Sequence, residues 1–283
     1  MLPLVYTSFS LGIVLVIVAS LATLALPWRA RGLDWLGVPR AAASIGALFL
    51  FGMLALRAFQ YQLVPLTSGV ESLSLLVVMI TWTVFAITQD APRRNLTLVY
   101  LPAIAGIAII AALLAPAELP RPPKPLSPLL LLLHVVPAFL AYAWFFIAML
   151  TSAVYLYQAS RLKRRLSLGP IQQLPSLENM DRTLFLLISM AYPLFVVTLV
   201  TGAYWAWADR ELLGALWWMS PKIMLSLAMV VIYATCYHGR ATGLLRGPRL
   251  ANVLLIGVGS LLAAYLLLEI FGLTNYNFWG ATE

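Results

Sequence analysis

Charge is what this chain has least of. Asp, Glu, Lys and Arg together make up 10% of its 283 residues, far below the quarter or so usual in a soluble domain. With 62% hydrophobic residues and a mean hydropathy of +0.93, a water-soluble globule is excluded. Cys236 is the one cysteine, which rules out an intrachain disulfide and any CxxC redox or metal motif. Two histidines, His134 and His238, are all the imidazoles there are. Absent too are the short strands of alternating polarity that build a membrane β-barrel, any internal repeat, and any stretch with the composition of a soluble domain.

What is there is a series of long apolar runs. Eight can cross about 30 Å of hydrocarbon as helices, near residues 5–26, 41–59, 72–88, 97–115, 129–157, 181–206, 219–238 and 251–272. The expected fold class is all-α: a single integral membrane domain over residues 1–283, forming a polytopic bundle of about eight transmembrane helices. Met-Leu-Pro precedes the first run, without a basic leader, and no small-residue cleavage site follows it. That run is read as a retained helix.

The net charge of +8 is accounted for by membrane topology, without a nucleic acid partner. If the N-terminus is outside, the inner loops hold Arg29, Arg31, Arg40, Arg93, Arg94, Arg161, Lys163, Arg164, Arg165, Arg182, Arg240, Arg246 and Arg249. The outer loops keep only Arg57, Arg121, Lys124, Arg210 and Lys222. Both termini are then outside. The expected location is a bacterial inner membrane, with the connection between the sixth and seventh runs facing the periplasm.

That connection, at about residues 205–220, is where aromatic residues concentrate. Trp205, Trp207, Trp217 and Trp218 lie close to Asp209, Arg210 and Glu211, so the segment is not a span. Indoles favour the membrane boundary, and an interfacial belt is the plain reading of this cluster. Upstream, Glu71 stands at the start of the third run, where a carboxylate suits the helix dipole and caps it, a reading that stands level with a functional role. Six prolines between Pro116 and Pro128 make a stiff spacer. Pro193 interrupts the sixth run and frees a backbone carbonyl. Pro221 suits the first turn of the seventh. The basic stretch after Tyr157 is read first as a topology determinant, with contact to anionic lipid head groups as the alternative.

Chemistry rests on the two histidines. His134 lies in the first two turns of the fifth run and His238 at the far end of the seventh, about 20 Å apart along the membrane normal. They do not share one iron. Each site needs a further ligand from methionine, solvent or another chain.

Several stretches resemble the CcsA/HemX-type cytochrome c assembly proteins, from about Pro65 onward. PLTSGVES is similar to the family's Pro-x-x-Asn-x-x-Glu-Ser. His134 with AYAWF and YLYQASRLKRR resembles its outer histidine helix and basic exit. LPSLENMDR and PLFVVTLVTGAYWA are similar to the helix that follows, and Pro221, Lys222, His238 and Arg240 keep its Pro-Lys to His-x-Arg spacing. The family's Trp-x-Trp-Asp-Pro-Lys reads WWMSPK here, with Met219 and Ser220 at the second Trp and the Asp. Thr274 in GLTNYNF stands where the family has a second outer histidine.

The resemblance implies a non-enzymatic protein that carries or presents non-covalent, b-type haem for cytochrome c maturation. His134 and His238 are its candidate iron ligands, and Trp205, Trp207, Trp217 and Trp218 form an aromatic platform. Implied partners are membrane lipid, a second assembly subunit and apocytochrome c. A membrane scaffold or regulatory subunit that kept the bundle and lost the haem cycle is the alternative, favoured by Met219, Ser220 and Thr274. A small-solute transporter has kinked helices for it and no cluster of midplane charges.

Overall fold

A computed structural model describes residues 2–25, 35–62, 68–115, 128–166, 173–208 and 217–270. Among the described residues every regular element is helical. In chain order these are α1 (Leu2–Ala25), α2 (Gly37–Tyr61), α3 (Gly69–Ile87), α4 (Thr97–Leu113), α5 (Pro128–Lys163), α6 (Leu177–Ala208), α7 (Pro221–Ala241) and α8 (Pro248–Ile270). Short 3-10 turns, Ala91–Leu96 and Trp217–Met219, precede α4 and α7. The first seven helices are long and apolar enough to cross a membrane, and α8 adds a further 23 residues. The chain is a polytopic helical membrane protein. Its contacts divide it into two compact units, residues 1–128 with 173–175, and residues 129–172 with 176–283.

In the first unit α1 packs on α2, and α4 on both α1 and α3. Gly12 and Gly46 bring α1 and α2 close enough that a Cβ on Gly12 would lie 2.9 Å from the Gly46 carbonyl oxygen. Small residues serve membrane helices in this way because lipid offers no hydrophobic drive toward association. Ser20 reaches across to the Leu101 carbonyl at 2.7 Å.

Glu71 does cap α3: its carboxylate accepts from the Ser68 N–H at 3.0 Å, and the Ser68 hydroxyl accepts from the Glu71 N–H at 3.2 Å. Arg57 is a correction to the loop count of charges. It lies inside α2, fully buried, because Glu71 pairs with its guanidinium at 2.5 Å and Tyr61 lies 5.3 Å beneath it. Arg40 is likewise buried within the first turn of α2, donating to the Leu36 and Thr88 carbonyls.

In the second unit α5 and α6 run for 36 and 32 residues, or about 54 and 48 Å. Both are longer than the apolar runs that announced them. Phe145 of α5 stacks on Tyr233 of α7 with ring centroids 3.4 Å apart and meets Phe195 of α6 edge-on at 5.4 Å. All three are buried, so one aromatic core joins α5, α6 and α7. At the end carrying Arg240, the Asp181 carboxylate accepts from the Arg240 guanidinium at 2.6 Å and from the Gly247 N–H at 3.0 Å. It thereby pins the α7–α8 turn to α6.

Candidate functional site

The face of α5 that packs inward repeats at three- and four-residue steps: Ala138, Ala141, Phe145, Ala148 and Ser152 are all buried. His134 continues that face one turn earlier, which is why its imidazole points into the unit and is half-buried. Opposite it, Thr198, Thr201, Gly202 and Trp205 occupy one stripe of α6, spaced i, i+3, i+4 and i+7.

His134 Nδ1 lies 3.0 Å from the Thr198 carbonyl oxygen and 3.3 Å from the Thr201 hydroxyl oxygen. A carbonyl only accepts, so Nδ1 carries the proton and donates. Thr201 spends its own hydroxyl proton on the Val197 and Thr198 carbonyls, at 2.9 and 3.1 Å. In the neutral ring Nε2 therefore holds a bare electron pair, the form in which imidazole ligates a metal. Trp205 is buried and meets the ring edge-on, with centroids 6.2 Å apart and planes at 88°.

The four tryptophans do not all share one face. Trp207 is two residues beyond Trp205, about 200° around the helix, and pairs with Tyr204 at 6.1 Å. Trp207 and Trp218 are each 52% exposed. The side chain of Trp217, and residue 274, lie outside the described residues. Ser220 has a role of its own: it is the N-cap of α7, accepting from the Ile223 N–H at 3.4 Å, with Pro221 in the first turn. An Asp at this position would supply the same cap.

His238 sits near the other end of α7 with its side chain exposed. Its ring meets Tyr192 of α6 edge-on at 6.3 Å and its neighbour Tyr237 at 5.2 Å. On α6, Tyr192 and Trp205 are thirteen residues apart, about 20 Å of helix. The two imidazoles thus meet separate levels of α6. Among the described residues no group of three or more His, Cys, Asp and Glu side chains is placed to hold a metal ion.

Sequence reasoning singled out both histidines and Trp205, and did not single out Thr198, Thr201, Gly202 and Tyr192, which the structure places against them. The stripe in TLVTGAYW was a readable signal, since its spacing puts two hydroxyls, a glycine and an indole on one helix face. That the decisive acceptor is a backbone carbonyl was not readable.

The family described as Cytochrome C assembly protein matches residues 49–274. "Cytochrome c biogenesis protein CcsA" of Thermosynechococcus vestitus is 25% identical over 272 residues, covering 82% of this chain and 84% of the relative. The protein of the same name from Parasynechococcus marenigrum is 24% identical over 286 residues, covering 91% and 92%. "Protein HemX" of Brevibacillus brevis is 29% identical over 145 residues, about half of each chain. No solved structure matches.

Proposed function

Because the chain belongs to the cytochrome c assembly protein family, we propose that it serves that assembly by carrying or presenting non-covalent, b-type haem. The observation that carries this reading is the bond from His134 Nδ1 to the Thr198 carbonyl, which leaves Nε2 free to donate an electron pair. A bare ion finds no cage among the described residues, whereas haem brings iron already held by four ring nitrogens and in need only of axial ligands.

The chain's own part is to hold and orient. α6 fixes the His134 ring, and Trp205 walls one side of it. Trp217 and Trp218 are the candidates for contact with a flat apolar face beyond it, whereas Trp207 lies on another face of α6, against Tyr204. His238, open at its side chain, offers a second imidazole at the other level of the unit. The role proposed for these residues is to bind and orient, so the reading is of a binding protein and not an enzyme. The distribution of Arg and Lys supports an outer, periplasmic position for His134, with both termini outside. Apocytochrome c and a second assembly subunit are the partners this role requires.

The test is an optical titration of the purified protein with ferric haem. A Soret band that shifts on binding, and weakens in His134→Ala or His238→Ala, is the expected result. A protein that takes up no haem, yet still supports cytochrome c maturation with both histidines replaced, would instead be a scaffold.

A further inference from the structure

Glycine is a poor helix residue, and Gly202 sits inside α6 with no left-handed backbone to require it. Its reason is space. A Cβ built there would stand 2.7 Å from His134 Cε1, closer than real Cβ atoms come, and a tight 3.1 Å from Nδ1, so the imidazole would have to shift. Gly69, Gly106 and Gly259 would meet nothing within 4 Å, and Gly12 and Gly46 make room for a neighbouring helix. Among the described glycines, Gly202 is the one whose missing side chain is replaced by an imidazole.

We infer that Gly202 is a positioning residue for His134. It forms the floor of a seat in which the ring lies flat enough on α6 for Nδ1 to reach the Thr198 carbonyl at 3.0 Å, while Trp205 closes the side at 6.2 Å. The three features are interdependent. With a methyl group on the floor, the ring must lift or turn, the Nδ1 bond is lost, and nothing then selects the tautomer with a bare Nε2. Free neutral histidine favours the opposite, Nε2–H form, so the seat inverts an intrinsic preference. A partner of this kind, which orients a ligating histidine without touching the metal, typically alters metal affinity by about 10- to 100-fold when lost. The inference deepens the haem reading of His134 and rests on it for its consequence, but the seat itself is a property of the apoprotein.

The test uses full-length protein labelled with 15N-histidine, at a pH where imidazole is neutral. Only two histidines contribute signals, and His238→Gln assigns them. Wild-type His134 is expected to show a protonated Nδ1 and an unprotonated Nε2. In Gly202→Ala that signature should change to a mixture or to the Nε2–H form, and the affinity for ferric haem should fall by about 10- to 100-fold. An Nε2–H signature in the wild type would overturn the inference without recourse to any variant, so a Gly202→Ala protein that fails to fold leaves it exposed to refutation. Unchanged signature and unchanged affinity in Gly202→Ala would overturn it also, leaving the haem reading intact. A wild type with the Nδ1–H signature, lost in Gly202→Ala, but with no affinity for haem would support the seat and refute the haem reading.

Discussion

Arg57 and Glu71 form an ion pair sealed from solvent, with side chains 1% and 0% exposed, at the point where α2 hands over to α3. The same carboxylate completes the cap of α3 through the Ser68 N–H. Glu71→Leu removes both functions and leaves a buried guanidinium without its counter-ion, so it should cost about 3–5 kcal/mol. Glu71→Gln should cost less, because an amide oxygen still accepts from the cap. The Arg57→Met/Glu71→Leu double variant should be less destabilised than the Glu71→Leu single. Denaturant titration in detergent, followed by helix content, separates the three.

The contact of α1 with α2 depends on hydrogen in place of side chains. At Gly12 a Cβ would sit 2.7 Å from Leu50 Cγ as well as close to the Gly46 carbonyl, so Gly12→Val should destabilise by about 1–3 kcal/mol through overpacking. Gly106→Ala, with open space around it, should stay within about 0.5 kcal/mol of wild type. Melting curves recorded in one detergent compare the two.

At the start of α7, Ser220→Ala should cost about 1 kcal/mol through loss of the cap, and Ser220→Asp should keep it. Hydrogen exchange at the Ile223 amide reports the loss directly, rising in the first variant and not in the second.

Asp181→Asn weakens two bonds at once, to Arg240 and to Gly247. Both partners of the ion pair are 17% exposed, so the cost should fall below that of a sealed pair, at about 2–3 kcal/mol. Loosening should be local. Protease accessibility of the α7–α8 turn is the measurement, and a turn as resistant as wild type would contradict the role given to Asp181.

The helices themselves were legible because lipid demands a run of apolar residues, and all eight runs have a helix within them. Their ends were not. Hydropathy marks where the chain meets head groups, whereas α5 keeps its hydrogen bonds out to Lys163 and α2 to Tyr61. Arg57 was counted with the outer charges although it falls inside the second run, and its partner Glu71 lies fourteen residues away on α3, a distance at which no helical period operates. His134 was visible as a rare residue type. What makes it chemically particular is a carbonyl on a neighbouring helix, which has no letter of its own in the sequence, and Gly202, which has one but does not say which ring lies against it.

The Asp181–Arg240 pair also has a consequence for how the molecule is made. The acid leaves the ribosome fifty-nine residues ahead of the base, so a nascent chain that has inserted α6 carries an acceptor awaiting its donor. The last hairpin supplies both the guanidinium and the Gly247 amide. It therefore acts as the clasp of the second unit, and a chain cut short before Gly239 is the form that membrane quality control should recognise as unfinished.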